Sequence, residues 1–247
     1  MIERDLLNAV DPAGWVRRRL KFNPDPHQEA ILASTHKRIL LNCSRQWGKS
    51  TVTAAKAVHR ALEFPGQLIV AMSPSGRQTG ELIRKMEDFL RRCGVKPRND
   101  GSNEISIELD NRSRIVGLPG GEGNIRGFSS VNLLIVDEAA RVPDESYRAA
   151  RPMMAVANGD LLLLSTPFGK RGFFYDEWTG PADWLRLQVR AEDCARIPRD
   201  FLDDERRSLG DLWFRQEYCC EFIDNETQLF SRDIIQRSLD KDIEPLF

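Results

Sequence analysis

The amino-acid sequence predicts an α/β fold, a mostly parallel sheet with helices on both faces. Two observations carry that expectation. Four short runs, 38–43, 67–72, 133–137 and 160–165, have the length and near-continuous hydrophobicity of strands buried on both faces. Segments of helical composition stand between them, the alternation that builds parallel sheets through crossover connections.

The elements follow in order. Residues 1–22 read as a short helix or two ending in the basic run Arg17, Arg18, Arg19 and Lys21. Phe22, Pro24 and Pro26 interrupt the chain, and Pro26 then suits the start of a helix over 27–35. The run 38–43 is the first strand. An alanine-rich helix over 50–62 closes at Pro65 and Gly66. The strand 67–72 leads through Ser73, Pro74, Ser75 and Gly76 into a helix over about 78–93. Stretches 104–109 and 112–117 alternate with period two around Asp110 and Asn111, which predicts a hairpin. The strands 133–137 and 160–165 complete the core, placed at 1–182. Beyond 183 the composition turns charged and helical, with one more strand possible at 184–189. We expect 183–230 to form a small C-terminal lid subdomain and 231–247 a linker.

Composition narrows the function classes. A chain of 247 residues, 41% hydrophobic and 30% charged, can bury a core without disulfides or metals. The formal net charge of −1 does not advertise a polyanion binder, so any nucleic acid must be met by local patches. The five cysteines, Cys43, Cys93, Cys194, Cys219 and Cys220, form no C-x-x-C pair and favour a reducing, intracellular compartment. The N-terminus lacks the features of a signal peptide, and no run approaches the ~18 apolar residues of a membrane span.

The chemistry lies at three predicted strand ends. After the first comes Cys43-Ser44-Arg45-Gln46-Trp47-Gly48-Lys49-Ser50-Thr51, a phosphate-binding loop pattern with Cys43 where the first glycine is expected. Backbone N–H groups and a helix N-terminus can cradle a β-phosphate. Gly48 allows close approach, Lys49 reaches the β- and γ-phosphates, Ser50 ligates Mg²⁺, and Thr51 serves the α-phosphate. The third strand ends in Asp137-Glu138, of which Asp137 would hold the Mg²⁺ shell and Glu138 activate water. Asp137 and Glu138 are also ordinary caps for a following helix. The fourth strand ends in Ser165-Thr166-Pro167, where a hydroxyl can sense the γ-phosphate; a plain Ser/Thr-Pro turn is an equal reading. The expected fold is thus a P-loop NTPase of the RecA-like (ASCE) type, using ATP and Mg²⁺.

With these sites placed, the sequence resembles the ATPase domain of the large terminase subunit of tailed bacteriophages, over about 24–230. The family's phosphate loop often reads Ser-Arg-Gln-x-Gly-Lys and lacks the first glycine, as Ser44-Arg45-Gln46-Trp47-Gly48-Lys49 does. Val136-Asp137-Glu138-Ala139 and Ser165-Thr166-Pro167 match its acidic and coupling motifs. The resemblance implies an ATP-driven motor that packages double-stranded DNA. It also implies that Gln28 pairs with the adenine edge and Phe22 packs on the ring, although Gln28 alone reads as a solvated helix residue. Arg126, beside Gly120, Gly121 and Gly123, would act in trans as an arginine finger; alone it reads as a surface arginine. Arg45 would contact the γ-phosphate or relay nucleotide state to the lid.

The implied partners are a homo-oligomeric ring on assembly, with a monomer in isolation, and a portal and a small terminase subunit. The implied place is the cytoplasm of the bacterial host, with no membrane. Full-length members carry a C-terminal nuclease. Asp224, Glu226 and Asp233 are too sparse for a two-metal site, so an ATPase domain without cleavage activity is expected. Basic candidates for DNA phosphates are Arg17, Arg18, Arg19, Lys21, Arg84, Lys85, Arg91, Arg92, Lys170 and Arg171, through backbone contact. Two other readings stay open. A two-lobe helicase needs a second strand-helix series, which is not seen after Glu138. A nucleotide-gated switch would not need the carboxylate of Glu138.

Overall fold

A computed structural model describes residues 2–98, 105–120 and 127–224. Helix α1 (Ile2–Val10) and helix α2 (Pro12–Trp15), continued by a π turn over Val16–Leu20, precede α3 (Pro26–Ala33). Strand β1 (Arg38–Cys43) runs into α4 (Lys49–Glu63), and β2 (Leu68–Ser73) into α5 (Gly76–Arg92). Strands β3 (Ser106–Glu108) and β4 (Arg114–Pro119) form the expected hairpin, with antiparallel register Ile107 to Ile115. Then come β5 (Leu133–Asp137), α6 (Asp144–Ala150), β6 (Asp160–Ser165), α7 (Gly172–Thr179), β7 (Leu185–Val189), α8 (Arg199–Leu209) and α9 (Asp211–Glu217).

The described strands make one sheet in the order β3-β4-β2-β5-β6-β1-β7, parallel except for β3. The pleat sends alternate residues to opposite faces. Ile39, Leu41 and Cys43 of β1, with Ile69, Ile135 and Leu164, pack under α2, α3, α4 and α5. Leu40, Val70, Val136 and Leu163 face Tyr147, Phe173 and Phe174 of α6 and α7. Helices on both faces, as the sequence predicts, are what the buried strands require.

Strand β7 corrects the expected domain boundary. It lies in the central sheet, parallel to β1 with Leu41 opposite Leu187, so 183 is not where an appendage starts. The helical appendage follows Val189, with its own small cluster of Ala191, Leu202, Phe214 and Tyr218.

Helices α1 and α2 lie over α4 through Trp15, which is fully buried, meets His59 edge-on at 5.1 Å and donates its indole N–H to Glu63 at 2.6 Å. Trp15→Ala removes that volume and leaves Glu63 without its donor. A loss of about 3–5 kcal/mol of stability is expected, read as a fall in the denaturant midpoint at unchanged slope.

Candidate active site

Parallel register aligns the three strand ends that carry the motif residues: Asn42 stands opposite Ser165, and Leu164 opposite Asp137. After β1 the chain turns sharply. The Ser44 N–H donates to the Val189 carbonyl at 2.9 Å, Gln46 takes φ 63° and Gly48 takes φ 101°. Helix α4 starts at Lys49, and the Thr51 and Val52 N–H groups return to the Gly48 carbonyl at 3.0 and 3.1 Å. Gly48 is required by its backbone, whose φ of 101° L side chains rarely adopt, and a Cβ there would also crowd the Gln28 amide nitrogen at 3.1 Å.

Cys43 answers differently from its motif position. It is the last residue of β1, its side chain belongs to the core under α4, and burial pushes its thiol pKa up. The Ser44 hydroxyl is also buried, with no hydrogen-bond partner among the described residues. Neither side chain lines the cavity, because the pleat turns Cys43 inward before the loop begins.

That cavity, about 690 Å³, is lined by Phe22, Gln28, Arg45, Gln46, Trp47, Gly48, Lys49, Ser50, Thr51 and Glu138, among others. The volume suits a nucleotide-sized ligand. At one end the Ser50 hydroxyl donates to Asp137 Oδ2 at 3.0 Å. Burial raises the Asp137 pKa and the charge of Glu138 adds to that, while Lys49 and hydrogen bonds from Ser50 and the Glu138 N–H oppose it. Hydroxyl and carboxylate oxygens are the donors a hard divalent cation takes, and one or two such protein ligands beside phosphates suit Mg²⁺. Glu138 sits on a left-handed backbone (φ 50°), a conformation sparsely populated by non-glycine residues and retained where surroundings enforce it. Its Oε1 lies 3.5 Å from Lys49 Nζ and its Oε2 3.2 Å from Arg141. The buried Glu217 carboxylate of α9 meets Arg141 at 3.2 Å and also pairs with Arg45.

At the other end Gln28 is 1% exposed, which removes its reading as a solvated residue. Its Oε1 accepts from the Asp25 N–H at 3.1 Å, within a capping box, and its Nε2 donates to the Trp47 carbonyl at 3.4 Å. Arg196, from the appendage, donates to the same carbonyl at 2.5 Å. Phe22 lines this end.

Other expected residues fall elsewhere. Ser165, Thr166 and Pro167 are buried and are not on the cavity lining; the Ser165 hydroxyl donates to the Thr166 carbonyl at 2.7 Å, and the Thr166 hydroxyl is buried with no partner among the described residues. Arg126 lies outside the described residues, as do 225–247. Many basic candidates are engaged locally: Arg17 with Glu29, Arg18 with Asp11, Arg84 with Glu81, Arg91 with Glu87, Lys170 with Asp224. Arg19 and Arg92 donate to the carbonyls of Cys93 and Leu20, and Lys85 to Thr51 at 3.3 Å. Sequence reasoning missed Arg141, Arg196 and Gln78, which line the cavity, and Glu217, which pairs with Arg141; Lys85, also on the lining, was read only as a DNA candidate. Only Arg141 left a local signal, three residues past Glu138 on the same turn.

Comparison with known proteins bears on the fold and the family. The terminase large subunit of Thermus virus P23-45 is 27% identical over 262 residues, covering 91% of this chain and 54% of its own length. This chain therefore spans about half of that relative. The Thermus phage P74-26 large terminase ATPase domain superposes with TM-score 0.75 at 24% identity, over 86% of this chain and 99% of that domain. The large terminase of another thermophilic bacteriophage, in complex with ATP-gamma-S, gives TM-score 0.64 at 16% identity, over 87% of this chain and 52% of that one. These likenesses establish the fold. The family described as terminase large subunit, T4likevirus-type, N-terminal, matches residues 40–237, and the chain belongs to that family.

Proposed function

We propose that this chain hydrolyses ATP and is the motor part of a machine that drives double-stranded DNA into a viral procapsid. The observation that carries the reading is the convergence of Lys49, Ser50 and Glu138 on one cavity at the carboxyl ends of β1 and β5, with Asp137 accepting a hydrogen bond from Ser50. The kinship with large terminases, among them a relative's ATPase domain and another's complex with ATP-gamma-S, supports the substrate.

The chemistry follows from the residues. The N–H groups at the start of α4 and the Lys49 ammonium meet the β- and γ-phosphates. Ser50 and Asp137 would hold Mg²⁺, which on binding neutralises charge on the phosphate oxygens. Glu138 orients a water and takes its proton as the water oxygen bonds to the γ-phosphorus and the bond to the ADP oxygen breaks. Gln28 and Phe22 form the adenine end. Arg126 completes the site of the next subunit in a ring, and Ser165-Thr166-Pro167 couple hydrolysis to movement. DNA is gripped by its phosphates, without sequence readout. Portal and small terminase subunit are the expected partners on assembly, in the host cytoplasm; among the described residues no helix is long and apolar enough to cross a membrane.

Lys49→Ala should abolish phosphate release and weaken ATP binding. The companion measurement is ATPase rate against protein concentration, with and without duplex DNA. A steeper-than-linear rise is expected, because assembly completes each site. Hydrolysis surviving Lys49→Ala would overturn the site.

A further inference from the structure

Glu138 must keep one geometry through a cycle in which its partners change. In this structure Lys49 holds its Oε1 at 3.5 Å and Arg141 holds its Oε2 at 3.2 Å. When a triphosphate enters the cavity, the Lys49 ammonium turns to the phosphates, where the charge density is far higher. Arg141 is then the cation left on the carboxylate. Its own setting is well defined. It starts the return from the turn after β5, its N–H donating to the Glu138 carbonyl at 2.8 Å, and its guanidinium lies 4.7 Å from the Phe168 ring centre.

The second hand of Arg141 reaches Glu217, at 3.2 Å. Glu217 is 3% exposed and lies at the C-terminal end of α9, in the appendage. Its other oxygen is taken by Arg45 of the phosphate loop, and its carbonyl accepts the Arg45 N–H at 3.3 Å. A buried carboxylate whose two oxygens are each held by a guanidinium resists losing either one, because an oxygen left without its donor would stay buried and unsatisfied. The chain Glu138–Arg141–Glu217–Arg45 therefore ties the water-activating carboxylate to the docked position of α9.

We propose that Arg141 is a positioning residue. It fixes Glu138 once Lys49 has turned to the phosphates, and through Glu217 it makes that fix depend on α9 being docked. The proposal rests on the assignment of Glu138 as the base that activates water.

The test is steady-state ATP hydrolysis by Arg141→Ala, Arg141→Lys, Glu217→Gln and the Arg141→Ala/Glu217→Gln double variant. Binding of a fluorescent ADP analogue and circular dichroism run alongside, so that folding and binding are read separately. Arg141→Ala should lower kcat about 100-fold, the cost of a misplaced catalytic group, with KM and ADP affinity within about 3-fold of wild type. Arg141→Lys should recover part of that loss, since it restores the charge but not the two-handed fork. Glu217→Gln should lower kcat about 10-fold, and the double variant should be no slower than Arg141→Ala alone, the non-additivity of a shared chain. Wild-type kcat in Arg141→Ala, or losses that multiply in the double variant, would overturn the proposal. Hydrolysis unaffected by Glu138→Gln would instead overturn the site assignment beneath it.

Discussion

Glu138→Gln is expected to stop turnover while ATP still binds. The substitution keeps the shape of the side chain and an oxygen to face Arg141, but it cannot take a proton. Removing a positioned general base costs about 10²–10⁴ in rate, or ~3–5.5 kcal/mol of transition-state stabilisation. Binding should hold, since the phosphates are met by Lys49 and the start of α4, and one negative charge beside them is removed. The measurement pairs single-turnover phosphate release with ATP binding by equilibrium fluorescence. A rate within 10-fold of wild type would move the base elsewhere, because the described residues lining the cavity offer no other carboxylate.

Arg126→Ala should be the more severe lesion in an assembled ring and a milder one in dilute protein. An arginine finger supplied by a neighbour is worth about 10³–10⁵ in kcat. On either side of the stretch that contains Arg126, the Gly120 N–H donates to the Ser73 carbonyl at 2.7 Å and the Val131 N–H to the Met153 carbonyl at 2.9 Å. ATP binding should be retained. Mixing Arg126→Ala with Glu138→Gln should restore part of the activity, because each subunit supplies what its neighbour lacks. No recovery at any mixing ratio, at concentrations where wild type is fully active, would place Arg126 outside the chemistry.

Much of the fold was legible because β1, β2, β5 and β6 are buried on both faces, and such strands read as continuous apolar runs. Strand β7 was harder. Most of its residues are only half-buried, so 184–189 carries no strong apolar run and reads only as a possible strand within a charged, helical region. The loop was recognisable without its first glycine because the left-handed turns fall at Gln46 and Gly48. Motif position alone does not tell that Cys43 points into the core; the pleat decides that. Glu217 and Arg196 were beyond reach for a different reason. Their roles come from contacts between segments far apart in the chain, such as Arg196 with Trp47 or Arg45 with Glu217, and local periodicity is blind to those.

The pairing of β7 with β1 has a practical reach for anyone who would shorten the chain. A cut placed before Leu185 would remove not only the appended helices but the strand that covers one side of β1 from Ile39 to Cys43. It would also unseat the Asn42 amide, which donates to the Cys220 carbonyl at 3.0 Å, and the Ser44 N–H, which donates to the Val189 carbonyl. The strand leading into the phosphate loop would become a raw sheet edge, a template for pairing with other chains. Such a fragment would aggregate through the very strand it was designed to display, so the minimal soluble unit of this protein has to keep β7 and the Cys220 segment that latches onto it.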